Sequence, residues 1–220
     1  MPSGSVFFDL DGTLIDSKLD LANSVNATLQ RFSLERLDNE TIYSFVGNGV
    51  RQLLVDTLKY HGKLDILDEF YAYFLNYYSE HLLDNTQPYP GVYSLLEKLS
   101  GAGLKLFVVT NKSIGFTRRI LEGLRLGGFF VDVVGGDSFE NKKPHPEPFF
   151  KLAAKHSVDL SNSLVVGDSE NDIIAANSVG SKIAWASYGF RDRSILKDHR
   201  VDFIVNEPKE ILPVAERLFF

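Results

Sequence analysis

The sequence contains no cysteine, which excludes a disulfide framework, thiolate catalysis and cysteine-ligated zinc. It has no run of about 18 apolar residues, so no segment reads as a bilayer-spanning helix. Positive charge is in short supply: 23 Lys and Arg stand against 29 Asp and Glu, a formal net charge of −6. That balance argues against a nucleic-acid binder, whose phosphate contacts need clustered cations. The opening Met1-Pro2-Ser3-Gly4-Ser5 lacks a basic region, and the apolar run after it stops at Asp9, so no secretory signal is expected and a soluble cytoplasmic protein is. The patterns G-x-x-x-x-G-K-[ST], H-E-x-x-H and G-x-S-x-G are missing, and Gly47-x-Gly49 has no glycine at position 52 to complete a dinucleotide fingerprint. Internal repeats and low-complexity tracts are absent too. What is there is the composition of a folded protein, 44% hydrophobic and 24% charged over 220 residues, with length for one or two domains.

Short apolar runs at Val6–Phe8, Leu104–Val109, Val131–Val134, Leu164–Val166, Ile183–Trp185 and Phe203–Val205 predict buried strands. Between them lie helical periods: Leu95, Leu96 and Leu99 closed by Gly101 and Gly103; Phe116 through Ile120 to Leu124; and Phe149, Leu152, Ala153 and His156. Alternating strands and helices imply crossover units and a mostly parallel sheet, a doubly wound Rossmann-like α/β fold over residues 1–14 and 88–220. Residues 15–87 break the alternation. Ala22, Val25, Leu29 and Phe32, then Val50, Leu54 and Leu58, then Phe70, Phe74, Tyr77 and His81 predict helices without intervening strands. The stretch is far too long for a loop, so it reads as an inserted all-helical subdomain, with Asp84-Asn85-Thr86-Gln87-Pro88-Tyr89-Pro90-Gly91, stiffened by two prolines, as the return linker.

Four segments carry the chemistry, and each adjoins a predicted strand: Asp9-Leu10-Asp11-Gly12-Thr13, Thr110-Asn111-Lys112, Lys142-Lys143-Pro144-His145-Pro146 and Gly167-Asp168-Ser169-Glu170-Asn171-Asp172. In an open parallel sheet the carboxyl ends of the strands share one edge, where ligands bind, so topology would gather these distant segments. Asp9 and Asp11 at i, i+2 would face one side of a continuing strand, an unfavourable pairing unless a cation sits between them or one stays protonated. Gly12 and Thr13 suit a tight turn that brings backbone N–H groups near a phosphate. Other residues read more plainly. Lys112 is expected to be a solvated charge at a helix start, and His145, between prolines, a turn residue. Asp16 and Ser17 with Thr13 end the first turn and cap the next helix. Phe45-Val46-Gly47-Asn48-Gly49 is either a turn between helices or a loop that faces substrate. Tyr71, Tyr73, Tyr77 and Tyr78 read as helix packing.

In this order the four segments resemble the motifs of the haloacid dehalogenase superfamily of phosphohydrolases, and the helical insertion sits where that superfamily places one type of cap domain. Pro88-Tyr89-Pro90-Gly91-Val92, Gly135-Gly136-Asp137-Ser138 and Lys142-Lys143-Pro144-His145-Pro146 look most like the bacterial phosphoglycolate phosphatases. The resemblance implies Asp9 as a nucleophile that forms an aspartyl-phosphate, and Asp11 as the acid for the leaving alkoxide and then the base for water. It implies Mg²⁺ held by Asp9, the Asp11 carbonyl and Asp168, with Asp172 in support. Lys143 would steady phosphate and nucleophile, while Thr110 and Asn111 would donate to phosphate oxygens. The implied substrate is a small phosphorylated metabolite, 2-phosphoglycolate, acted on by a monomer or homodimer with no nucleic-acid or membrane partner. Pyrophosphate, nucleotide or sugar-phosphate hydrolysis stays open, as does a phosphomutase of the β-phosphoglucomutase type. A dehalogenase is disfavoured because Asp11 is present, and a non-catalytic phosphate-binding protein because no motif acid is missing. Charge arithmetic adds one expectation. The four aspartates give −4, and a divalent cation with Lys143 returns +3, so a phosphate dianion enters favourably only if Asp11 is protonated at the start.

Overall fold

A computed structural model of the chain describes residues 4–220; Met1-Pro2-Ser3, part of the segment read for a signal peptide, lies outside the described residues. In chain order the elements begin with β1 (Ser5–Phe8) and β2 (Ile15–Asp16), followed by helices α1 (Lys18–Arg31), α2 (Asn39–Phe45), α3 (Val50–Tyr60) and α4 (Leu67–Glu80). Next come β3 (Gln87–Pro88), α5 (Val92–Gly101), β4 (Lys105–Val109), α6 (Ile114–Gly123), β5 (Asp132–Val134) and α7 (Glu147–His156). The chain finishes with β6 (Ser163–Gly167), α8 (Glu170–Val179), β7 (Lys182–Ala186), β8 (Phe203–Val205) and α9 (Ile211–Phe219). It forms two compact units, one comprising the chain up to Asp16 together with Pro88–Phe220, the other Ser17–Gln87. The short strands β2 and β3, where the chain leaves and re-enters the first unit, make a two-stranded sheet of their own.

The first unit is built on a six-stranded parallel sheet in the order β5-β4-β1-β6-β7-β8. Each strand overlaps an apolar run; the inner strands β1 and β6 are buried at every position, as a sheet covered on both faces requires, while the edge strands β5 and β8 are only partly buried and Val131, expected in a buried strand, is exposed. Val6, Phe7 and Phe8 are all buried; Phe7 stacks on Phe107 at 4.8 Å between ring centroids and tilts onto Phe149 at 5.4 Å. Leu95, Leu96 and Leu99 of α5 and Phe149 and Leu152 of α7 bury the helical stripes expected for them. In register, Phe8 pairs with Val108 on one side and Val166 on the other. The carboxyl ends of β1, β4 and β6 therefore lie level. The chain order also reverses about β1, which puts the crevice of an open sheet just beyond Phe8.

The second unit is helical. Ala22, Val25 and Leu29 of α1 and Leu54 and Leu58 of α3 are buried as their spacing requires. On α4 the buried stripe is Phe70, Phe74 and Tyr78; Tyr77 and His81, which the spacing put on that face, are half-buried and stack on each other at 4.2 Å. Tyr78 wins because two consecutive i, i+4 steps from Phe70 keep one face of a 3.6-residue helix, while Tyr77 sits a step off it. Phe45-Val46-Gly47-Asn48-Gly49 leads from α2 into α3, with Gly47 at φ 125 and Gly49 at φ 83, backbone that favours glycine. Ser17 occupies the N-cap position of α1 but makes no side-chain cap bond. Inside this unit the buried Asp20 carboxylate accepts from the backbone N–H and side-chain amide of Asn85 and from the N–H and hydroxyl of Thr86, at 2.7–2.9 Å. No helix among the described residues is long and apolar enough to cross a membrane.

Candidate active site

The strand β1 ends at Phe8, and Asp9 is the first residue past the sheet, its N–H donating to Val166 O at 2.9 Å. From there the chain turns sharply instead of extending. The N–H groups of Thr13, Leu14 and Ile15 all converge on Leu10 O, and Gly12 adopts φ 78. The i, i+2 strand geometry is therefore broken, and the two carboxylates are paired with different lysines, Asp9 with Lys143 and Asp11 with Lys112. Gly12 and Thr13 also depart from expectation: their N–H groups donate to Ile15 O and Leu10 O within the turn and are not turned outward as phosphate donors. Glycine is required at position 12 for another reason. A Cβ there would lie 2.4 Å from Asp168 Oδ2, in a conformation L side chains avoid.

Asp9, Asp168 and Asp172 form one acidic cluster, offering one oxygen each within 4.8 Å of one another. Lys143, its side chain 1% exposed, reaches into it, with Nζ 3.0 Å from Asp9 Oδ1 and 2.6 Å from Asp172 Oδ1. The other Asp172 oxygen accepts from the N–H and hydroxyl of Ser169, capping α8. Both oxygens of Asp172 are thus committed to protein donors. Asp9 Oδ1 also accepts Leu10 N–H at 2.7 Å, and Asp168 Oδ2 accepts Phe190 N–H at 2.7 Å. Among the described residues, Asp9 Oδ2 and Asp168 Oδ1 have no hydrogen-bond partner, and this leaves two hard oxygens for a cation. Burial, with Asp172 nearby, pushes the Asp9 carboxyl up to about 7 against the pull of Lys143. Burial and the charges of Asp9 and Asp172 push Asp168 well above the ordinary carboxylate range. Burial opposes the charge on Lys143, but Asp172 and Asp9 outweigh it and raise the ammonium above its usual value. A buried set of carboxylates held charged only with difficulty, with oxygens to spare, fits a divalent cation such as Mg²⁺.

Beyond β4, Thr110 and Asn111 are buried. Asn111 holds the Lys143 carbonyl through its amide at 3.0 Å, and Thr110 N–H donates to Val134 O. Lys112 corrects the sequence reading outright. It is no solvated helix-start charge but a buried one, its ammonium 3.0 Å from each oxygen of Asp11. His145, as expected, is a turn residue, its ring accepting Glu147 N–H at 3.2 Å.

A model of the family described as haloacid dehalogenase-like hydrolase matches residues 6–186. Phosphoglycolate phosphatase from Aquifex aeolicus is 35% identical over 215 residues, 96% of either chain, and that from Vibrio parahaemolyticus is 36% identical, over 96% of this chain and 95% of its own. A crystal structure described as a predicted phosphoglycolate phosphatase from Haemophilus somnus superposes with a TM-score of 0.91 at 34% identity, covering 96% of this chain and 97% of the other. The chain belongs to the haloacid dehalogenase-like hydrolases.

Within this hydrolase the loop after β7 is a part of the site that sequence reasoning missed. Phe190 N–H binds Asp168, Tyr188 hydroxyl donates to Thr13 O at 3.0 Å, and Trp185 Nε1 donates to Asp168 O at 2.7 Å. A Cβ on Gly189 would come within 2.2 Å of Asp168 Cβ and 2.5 Å of Gly12 O. Arg191 ties the loop to the start of α8 through Glu170 at 3.3 Å. Tyr89, packed edge-on against Tyr188, buries its hydroxyl without a hydrogen-bond partner among the described residues; burial and the charges of Asp16 and Asp168 raise its pKa. The only sequence signal for the loop is a lone glycine between aromatics, which resembles countless surface turns.

Proposed function

We propose that this hydrolase cleaves phosphate monoesters with Mg²⁺ through an aspartyl-phosphate on Asp9, and that its substrate is 2-phosphoglycolate. The observation that carries the reading is the Asp9 carboxylate at the end of the central strand, one oxygen on Lys143 and the other unbonded beside Asp168. In the first step a carboxylate oxygen of Asp9 attacks phosphorus, the P–O bond to glycolate breaks, and the departing oxygen takes a proton from Asp11. In the second, water attacks the phosphorus and gives up a proton to Asp11 while the bond to Asp9 breaks, releasing phosphate. Lys143 balances charge on Asp9 and the incoming phosphoryl oxygens; Thr110 and Asn111 flank them. Asp9, Asp168 and the Asp11 carbonyl are assigned to the cation, which when bound supplies charge neutralisation for the phosphoryl group. The helical unit Ser17–Gln87 is assigned the role of a cap that selects the ester. The names of the related phosphatases support the choice of 2-phosphoglycolate.

Lys112 alters the charge argument for a protonated Asp11. Adding its +1 to the sum brings the site with a divalent cation to zero, so charge balance alone no longer demands a proton on Asp11 before phosphate binds. The test is phosphate release from 2-phosphoglycolate, pyrophosphate, sugar phosphates and nucleotides, with and without Mg²⁺, beside Asp9→Asn. Mg²⁺-dependent preference for 2-phosphoglycolate, reduced roughly a thousand-fold or more in the variant, is expected. A different preferred ester would replace the substrate, and turnover surviving in Asp9→Asn would overturn the mechanism.

A further inference from the structure

Lys112 is held at both ends more firmly than an incidental ion pair requires. Its carbonyl accepts Gly136 N–H at 2.8 Å, and its own N–H lies 3.3 Å from Thr110 Oγ1. A Cβ on Gly135 would meet Ile114 N at 2.4 Å and Lys112 O at 2.8 Å, and one on Gly136 would meet Asn111 O at 2.4 Å. The backbone of residues 111–114 is thus seated directly against Gly135-Gly136, and Asp137 Oδ1 fixes the next turn by accepting Ile114 N–H at 2.7 Å. At the far end Asp11 sits in the turn closed by Gly12 N–H on Ile15 O, with a bridge between Asp11 and Ile15. The side chains meet between these two fixed backbones, Lys112 3% exposed and Asp11 16%. An ammonium equidistant from both oxygens opposes rotation of the carboxylate about its Cβ–Cγ bond. Withdrawing that ammonium from water is costly unless the pair it makes is well formed.

We propose that Lys112 is a positioning residue that sets the Asp11 carboxylate for the second half of the reaction, hydrolysis of the phosphorylated Asp9. The inference rests on the roles proposed above for Asp9 and Asp11. An ammonium pairs with a carboxylate, and the half-reaction that begins with Asp11 in that form is the attack of water. There the water oxygen bonds to phosphorus, one of its protons passes to Asp11, the other stays on the departing phosphate, and the phosphorus–Asp9 bond breaks to restore the Asp9 carboxylate. Lys112 touches neither phosphorus nor water in this scheme; it acts through Asp11.

The two half-reactions separate with p-nitrophenyl phosphate, whose leaving group needs no proton. On rapid mixing with excess ester and Mg²⁺, the first equivalent of p-nitrophenol reports phosphorylation of Asp9 and the steady phase reports turnover. In Lys112→Met the first phase is expected to stay within about three-fold of the unaltered enzyme while the steady phase slows ten-fold or more, giving a stoichiometric burst. Asp11→Asn is expected to show the same slow steady phase, and adding K112M to it to slow that phase no further. If both phases slow alike, or neither slows, or the losses in the double variant add, the assignment of Lys112 is wrong. Should K112M fail to fold, Lys112→Gln is read against the same criteria. Asp9→Asn keeps the two levels apart: p-nitrophenol release persisting in that variant overturns the aspartyl-phosphate reading and this inference with it, whereas an inactive Asp9→Asn beside uniformly slowed K112M overturns the inference alone.

Discussion

Gly189 has no side chain, and the volume a side chain would need is already filled by Asp168 Cβ at 2.2 Å, Gly12 O at 2.5 Å and Asp168 Oδ2 at 2.6 Å. The methyl of Gly189→Ala must therefore displace either Asp168 or the turn at Gly12, neither of which is the free end of a flexible side chain. Overpacking of this kind costs about 1–3 kcal/mol, which in a chain of this size lowers Tm by several degrees. Because the displaced atom belongs to Asp168, the Mg²⁺ concentration for half-maximal phosphate release should rise about ten-fold, a change one titration of activity against Mg²⁺ measures. A lower Tm with unchanged Mg²⁺ dependence would mean that Gly189 serves the fold and not Asp168. The contrast with Asp168 itself is instructive. Asp168 stands in a segment whose residue types announce carboxylate chemistry, whereas Gly189, Phe190 and Lys112 act through space on groups 21, 22 and 101 residues away. Short-range sequence carries no trace of such pairings. A lysine beside a predicted helix start looks the same whether its ammonium reaches solvent or a distant aspartate.

At the scale of elements, α7 is fastened to the edge strand β5 by a small ionic cluster away from the acidic site. Asp132 Oδ2 accepts from Lys155 at 2.8 Å and lies 2.7 Å from His156 Nε2, while Phe107 supports the His156 ring at 5.4 Å. Partial burial works against the charge on Asp132, but the hydrogen bonds from Lys155 and His156 prevail and hold its carboxyl down at about 2. A carboxyl lowered in the folded chain adds stability that is present above its ordinary value near 3.8 and is lost as pH falls toward 2. Asp132→Asn should thus cost about 2 kcal/mol at neutral pH and nothing near pH 2, which urea melts at the two pH values compare directly. Equal stability of variant and parent at neutral pH would show that solvent screens the cluster away. The elements themselves were legible to differing degrees. Each of the six strands of the parallel sheet coincides with an apolar run, most plainly the inner strands β1 and β6, which are buried at every position, and less so the edge strands β5 and β8, which are only partly covered. Helix α8 escaped because it starts in the acidic motif and buries polar Asn171 and Asp172 beside Ile173, Ala175 and Ala176 while exposing Ile174, so no amphipathic stripe marks it. Asp20 escaped for the opposite reason, lying on a clearly periodic helix where an acid reads as a surface residue until its partners at Asn85 and Thr86 are seen.

For the molecule as a whole, the acidic site sets how stability depends on pH. The Asp9 carboxyl, raised by burial from 3.8 to about 7, holds a proton in the folded chain that the unfolded chain has already released. A group raised in this way stabilises the fold fully below its ordinary value and loses that contribution as pH climbs through the folded value. Asp168, raised by burial and its neighbours, acts in the same direction. Lys143 does not oppose this trend below neutrality, because its raised ammonium stays charged throughout. The contribution of Asp132 is likewise complete above about pH 4. Without metal, then, stability should fall between about pH 4 and about pH 7, by up to roughly 4 kcal/mol from Asp9 alone. A divalent cation held by the proposed ligands would reverse the slope, since it would take the place of the protons and bind best where the carboxylates are ionised, adding RT ln(1 + [L]/Kd) to the stability. Thermal melts in EDTA and in saturating Mg²⁺ across that range are the measurement. Two curves are expected to lie close together at the acid end and diverge toward the alkaline end, with Tm in EDTA falling and Tm in Mg²⁺ holding level. A Tm in EDTA that rises with pH would mean that Lys143 alone suffices to hold Asp9 and Asp168 charged. In that case the cluster would need no cation to be stable, and its claim to be a metal site would rest on spare oxygens only.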